Sequence, residues 1–177
     1  MSRIPLVIAT LASLLAPAAG ARGDDADVAR RFVGSWVYAG DDVEQQARLE
    51  VIDDTVSRMF GIARPFARRV MRNRTTNPSC FHIELDGDSI AIVEDDDKPL
   101  WTPLDGSPVQ IDGWGADQQV YRKVVGDTLH ARSWQHNGGG TRVFQLSADG
   151  QALTVQVIID SQQLPEDMIY ELTFRKD

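Results

Sequence analysis

The sequence predicts a mainly β protein: a single antiparallel up-and-down β-barrel of about 8–10 strands, with a helix pair inserted after the first strand. Three observations point there. From Ser79 onward, short apolar runs with a two-residue period alternate with turns rich in Gly and Asp. The turns are short, so successive strands lie antiparallel. About ten strands in one sheet would leave exposed edges unless the sheet closes on itself.

The elements follow in order. Met1-Ser2-Arg3 is a short positive segment, Ile4 to Ala19 is apolar and uncharged, and Ala19-Gly20-Ala21 has the small-x-small spacing of a cleavage site. Residues 1–21 therefore read as an export signal, too short and too weakly flanked for a membrane span. No cysteine follows the apolar run, which argues against a lipid-modified N-terminus. The mature protein is expected in the periplasm or outside the cell. Residues 22–31 are polar and expected to be flexible. The barrel domain is then 32–177, with Phe32, Gly34, Trp36 and Tyr38 on one face of the first strand.

A change of period marks the helix pair, about 41–76. Asp41 can cap the first helix, and Glu44 stands where a capping box needs it. Leu49, Ile52, Val56, Met59 and Phe60 form a helical stripe, and Gly61 is placed to end it. Pro65 fits the first turn of a second helix, whose apolar face continues through Phe66 and Val70. Asn77-Pro78 closes the segment. The strands that follow are punctuated at Asp86-Gly87, Glu94–Asp97, Asp105-Gly106, Gly126-Asp127, Gly138–Gly140, Asp149-Gly150 and Leu164–Asp167.

Composition removes several function classes. The chain has 18 Lys and Arg against 26 Asp and Glu, a net charge of −8, and Arg3 lies in the signal. So acidic a chain is repelled by nucleic-acid phosphates. Cys80 is the single cysteine, so no intrachain disulfide forms; burial as a small apolar residue is expected. The chain lacks GxSxG, a phosphate loop, a dinucleotide fingerprint and HExxH. Glu94–Asp97 lacks the spacing of a calcium loop and reads as a solvated turn. No metal, cofactor or catalytic residue is expected, and the protein reads as a monomer.

The order of one Gly-x-Trp strand, a helix pair and a long meander resembles the calycin superfamily, which comprises lipocalins and fatty-acid-binding proteins. Gly34-Ser35-Trp36 is similar to the lipocalin first-strand motif, and the helix pair to the lid of fatty-acid-binding proteins. The pattern also resembles lipocalin-like proteins exported by bacteria. The resemblance implies structural roles for Gly34 and Trp36, with Arg175 packed over the tryptophan. It also implies binding of a small apolar or amphiphilic molecule, fatty-acid-like or another lipid, inside the barrel. The Arg-x-Tyr carboxylate anchor of fatty-acid-binding proteins is absent: the last strand reads Leu172-Thr173-Phe174 at that register.

Two groups of residues are candidates for function. Arg132 and Trp134 share a strand face, as do Arg142 and Phe144; Tyr170 lies on the last strand. If these faces line the barrel, they place a few polar groups in an apolar cavity. Six arginines, including Arg64, Arg68, Arg69 and Arg72, lie between Arg58 and Arg74 with no acid among them. Such a lid suits an anionic membrane surface; the bland alternative is a solvated face paired with acidic turns such as Asp95-Asp96-Asp97. Three functions stay open: a ligand carrier, an envelope interaction module with a filled core, and an isomerase- or lyase-type enzyme on the same barrel.

Overall fold

The computed structural model describes residues 21–113 and 116–177; the export signal read over 1–21 lies outside them save its last residue. Ten strands form one antiparallel sheet, with a helix before the first strand and two helices after it. The elements are α1 (Ala21–Arg30), β1 (Gly34–Tyr38), α2 (Asp42–Ser57), α3 (Arg64–Arg74), β2 (Cys80–Asp86), β3 (Ser89–Glu94), β4 (Trp101–Pro103), β5 (Val109–Gly113), β6 (Ala116–Val125), β7 (Thr128–Gln135), β8 (Gly138–Leu146), β9 (Ala152–Ser161) and β10 (Met168–Lys176). The strand order is β4-β3-β2-β1-β10-β9-β8-β7-β6-β5. The first strand thus pairs with the last, and the sheet curls into a nearly closed barrel.

The sheet's two edges, β4 and β5, are neighbours in sequence, and the barrel closes where β4 and the segment after it approach β6. Past the end of β5 the segment after β4 meets β6 directly: Gly106 N–H donates to Arg122 O at 3.1 Å, and Asp105 bridges to Lys123. Arg122 completes the closure from inside. Its guanidinium donates to Leu100 O at 2.6 Å and Thr102 Oγ1 at 3.1 Å, with longer contacts to Ile90 O and Ile92 O. Carbonyls that a neighbouring strand would satisfy are met by one forked side chain.

Inside the barrel the alternation is regular. Phe81, Phe144, Phe174, Leu129, Leu153 and Leu172 belong to one buried cluster around Trp36. Phe81 meets Phe144 edge-on and Phe174 at a tilt, with centroids 5.4 and 4.8 Å apart. Trp36 is fully buried, and its indole Nε1–H donates to Phe32 O at 2.8 Å. The cation over its ring is Lys176, with Nζ 5.5 Å from the centroid. The expectation for Arg175 is thereby corrected: it pairs with Val37 and is exposed, on the face of β10 opposite Phe174 and Lys176.

The segment expected to be flexible over 22–31 is also corrected. It is largely α1, ordered because Ala29, and Phe32 in the turn just after the helix, enter the main core completely. Arg31 pairs with Asp127 at 3.2 Å, tying α1 to the β6–β7 turn. This helix plugs one end of the barrel.

The helix pair packs outside this core, against Met168 of β10 and Ile159 of β9. Asp41 Oδ1 accepts from Glu44 N–H at 2.9 Å, the cap the sequence predicts. The second half of the capping box is not made; Glu44 accepts from the Tyr38 hydroxyl at 2.8 Å. Ile52 and Val56 of α2 and Ala67 of α3 pack with Met168 into a second core. α2 ends at Ser57, before Gly61, with Arg58 N–H bonded back to Thr55 O. Phe60 therefore leaves the helical phase and is exposed, as is Phe66, which lies off the Ala67–Met71 face that packs. The glycines 138–140, expected as a linker, open β8 instead.

Trp36→Ala should destabilise the fold by roughly 3–5 kcal/mol, the cost of deleting a buried large aromatic side chain. Urea unfolding followed by the remaining tryptophan fluorescence measures this.

Candidate functional site

Strand register decides which side chains meet in the barrel, because residues paired across antiparallel strands share a face. One row of partners runs Arg122, Ala131, Arg142, Val157, Tyr170. The next row toward α1 runs Val124, Leu129, Phe144, Val155, Leu172. The next toward the lid runs Val120, Ser133, Gly140, Ile159, Met168. The barrel is thus stratified: an apolar floor, a belt carrying two arginines and a tyrosine, and a wider upper part.

Above the floor lies a cavity of about 890 Å³. Phe144 and Leu172 form its base; Ile92, Leu100, Ile111, Val120, Val157 and Ile159 supply apolar wall. It reaches Thr75, Thr76 and Pro78 at the end of the lid, and Gln135–Gly138 and Gln163 at the rim. This volume lies within the range that holds small-molecule ligands.

Glu94, from β3, faces the belt from the opposite wall. It accepts two hydrogen bonds from Arg142, one of them 2.8 Å between Nη2 and Oε2. The Arg142 guanidinium also lies 5.8 Å from the Phe81 ring centroid. Tyr170 is buried and borders the cavity, and burial raises its pKa; Arg142 and Arg48 oppose the rise and Glu94 adds to it. Arg48, on α2, donates to Thr75 O at 2.7 Å and so ties the lid's two helices at the cavity end.

Of the residues singled out by sequence, Arg142, Phe144 and Tyr170 come together in the cavity wall. Arg132 and Trp134 do not join them. Arg132 pairs with Thr141 and Trp134 with Gly139, so both stand on the face opposite Arg142. There Arg132 binds Asp160 at 2.7 Å and stacks 4.8 Å from the Trp134 ring. Trp134 lies across Gly139, where a Cβ would come 2.2 Å from Ser133 O and 3.0 Å from the indole. Arg132 and Asp160 still border the cavity, beside Gly138–Gly140. The residue that sequence reasoning missed is Arg122. Its signal was present: Val120 and Val124 flank it two positions away, the pattern of an inward strand face.

On the lid, Arg68 and Arg72 pair with Asp53 at 2.9 and 3.1 Å, and Arg58 pairs with Asp54 and Glu166. The partners are therefore lid and loop acids, and the 95–97 turn has another use. Asp95 accepts from the Ser79 and Cys80 amides and adopts a left-handed φ of 48°. Arg64 and Arg69 have no carboxylate partner among the described residues. Cys80 is half-buried, against the expected burial.

Neither a protein-family model nor a curated protein matches this chain. Solved structures do. A secretary abundant heat soluble protein from Ramazzottius varieornatus aligns at a TM-score of 0.54 and 11% identity, covering 83% of this chain and 96% of its own. The fluorescent protein UnaG gives a TM-score of 0.48 at 16% identity, covering 84% and 98%. A fatty acid-binding protein from brain tissue of Drosophila melanogaster gives 0.46 at 12%, covering 82% and 99%. The likeness to the first of these is one of fold. The chain has a calycin-like barrel.

Tyr170→Phe should remove one late step from the alkaline tyrosinate absorbance titration. The unfolded chain ionises near the ordinary value of about 10, so the native state loses stability above that pH. The loss should be smaller in the variant, as read from denaturant melts on either side of that pH.

Proposed function

We propose that this protein carries a small apolar or amphiphilic molecule inside its barrel. The observation behind this reading is the cavity itself. It is large, with an apolar base at Phe144 and Leu172, apolar wall residues such as Ile92, Val120 and Val157, a belt carrying Arg122, Arg142, Glu94 and Tyr170, and a rim of polar side chains. Burial of an apolar tail would drive binding at roughly 25 cal/mol per Å², and the belt would orient whatever polar end the molecule has. The lid meets the cavity through Thr75, Thr76 and Pro78 and packs through a small core of its own, so it can part without unmaking the barrel floor. The N-terminal reading belongs to the same proposal: residues 1–21 direct export, and the mature carrier works in the periplasm or outside the cell.

The test uses delipidated protein titrated with a fluorescent fatty-acid probe. Saturable uptake is expected, and Ala131→Trp, which fills the belt level, should abolish it while the far-UV spectrum is kept. A wild-type protein that takes up no apolar probe would sink the reading. Protein purified from its own host should begin at Arg22; an intact Met1 terminus would overturn the export part.

A second reading has one observation in its favour. Phe60, Ile62 and Phe66 are 90, 100 and 74% exposed, on the turn and helix that also carry Arg64 and Arg69, which have no carboxylate partner among the described residues. Apolar side chains beside unpaired cations suit the headgroup region of an anionic bilayer. In this reading the lid docks on such a membrane. Vesicles containing phosphatidylglycerol should sediment the protein, and neutral phosphatidylcholine vesicles should not. Phe60→Ser with Ile62→Ser should weaken sedimentation several-fold, as should Arg64→Glu with Arg69→Glu; no binding by the wild type removes the reading.

A further inference from the structure

The chain has three asparagines, and their surroundings differ. An asparagine modifies itself when the backbone nitrogen of the next residue reaches its side-chain amide carbon. Asn77 is followed by Pro78, which has no N–H to give up, and its own amide is enclosed. Asn73 precedes Arg74 within α3, where the next amide runs along the helix axis, away from the side chain. Asn137 differs on both counts. It is exposed at the β7–β8 turn, and Gly138 follows it with an amide that no side chain hinders.

The fold fixes this pair. Gly138 has a φ of 154°, and a Cβ there would lie 2.5 Å from Asp160 O and 2.8 Å from Ser161 Cα. No larger residue can take its place and slow the reaction. The fold also acts on the peptide between the two residues. Asn137 O accepts from Ser161 Oγ–H at 3.0 Å and from Gln162 N–H at 3.1 Å. Two donors on that oxygen stabilise the negative charge that spreads to it when the Gly138 nitrogen loses its proton. Contacts from the end of β9 therefore make the nucleophile more available.

We propose that Asn137 is a self-modifying site, which converts without an enzyme to aspartate and isoaspartate. The Gly138 nitrogen, its proton lost to water or hydroxide, bonds to Asn137 Cγ. The bond from Cγ to the side-chain nitrogen breaks, and ammonia leaves with a proton. Water then opens the five-membered imide at either carbonyl, and nothing is oxidised or reduced. Asn137, Ser161 and Gln163 line the cavity mouth. The conversion puts one further negative charge at that mouth, in a chain of net charge −8. The isoaspartate form also lengthens the backbone of a two-residue turn. The chemistry is independent of whether the cavity holds a ligand.

The full-length protein is aged in buffer at neutral and at alkaline pH, both folded and in urea, and followed by intact mass and peptide mapping. A gain of about one dalton is expected in the peptide that holds Asn137, in aspartate and isoaspartate forms, and faster at alkaline pH. Folded protein should convert at least as fast as unfolded. Ser161→Ala should slow the folded protein several-fold and leave the unfolded rate unchanged. Ser161→Thr, which keeps the hydroxyl, should restore the folded rate. Asn137→Gln, whose ring would need a sixth member, should show no gain over the same time. Gln135 and Gly138 close the turn as a pair; if that pairing shields the amide, folded protein converts more slowly than unfolded and the proposal is overturned. No gain at Asn137 in the folded protein overturns it as well. Equal folded rates for the wild type and Ser161→Ala overturn the part given to the Asn137 carbonyl.

Discussion

Closure of the barrel between β4 and β6 is the constraint on which the rest of this structure depends. A ten-strand meander has two edges, and here they are consecutive strands, the first of them only three residues long. So short an edge cannot satisfy the sheet by ladder bonds alone. Arg122 does the remaining work from inside, reaching two carbonyls on β3, the Leu100 carbonyl just before β4 and the Thr102 hydroxyl on β4. Position follows from that requirement. A side chain that spans the closure must face inward, and a cation that faces inward sits in the cavity wall. The polar belt is thus the inner aspect of the closure, and its composition is tied to how the sheet ends.

The two ends of the barrel do different things for related reasons. α1 contributes Ala29 to the core and the turn after it contributes Phe32, so that end is solid, and the aromatic cluster around Trp36 extends the solid region to the level of Phe144 and Leu172. The lid contributes almost nothing to this core. It has its own small cluster on Met168, and it meets the unfilled half of the barrel through the residues that follow α3, Thr75, Thr76 and Pro78. The glycines at the start of β8 help leave it unfilled, since they bring no side chains to the upper rows.

Most of the fold was legible in the sequence because period and punctuation are local. The two-residue alternation gave the strands, the Asp41 cap and the helical stripe gave the lid, and ten strands in one domain required closure. The site was less legible. Alternation tells which residues share a face but not which face is inner. Arg142 and Arg132 looked equivalent until pairing to Ala131 and Thr141 set them on opposite sides. In β7 the deciding residue is Leu129, whose place in the core fixes Ala131 as inward and Arg132 as outward. α1 was missed because two buried side chains order it, too few to make a stripe. The lid's ion pairs were misassigned because sequence distance hid Asp53 and Glu166 among neighbours more acidic and more conspicuous.

The pairing of β1 with β10 has a kinetic side. Ser35 O accepts from Asp177 N–H, and Trp36 lies opposite Lys176, so the innermost aromatic waits for the last residues to arrive. Its indole can bond to Phe32 early, but its burial requires a contact that spans nearly the whole polypeptide. Non-local pairing of this kind slows folding, because chain entropy is lost before the contact rewards it. The hairpins from β6 to β9, each closed by a short turn, can form without such a delay. The barrel therefore assembles from a locally determined half, and the strand that carries the tryptophan is the one that waits.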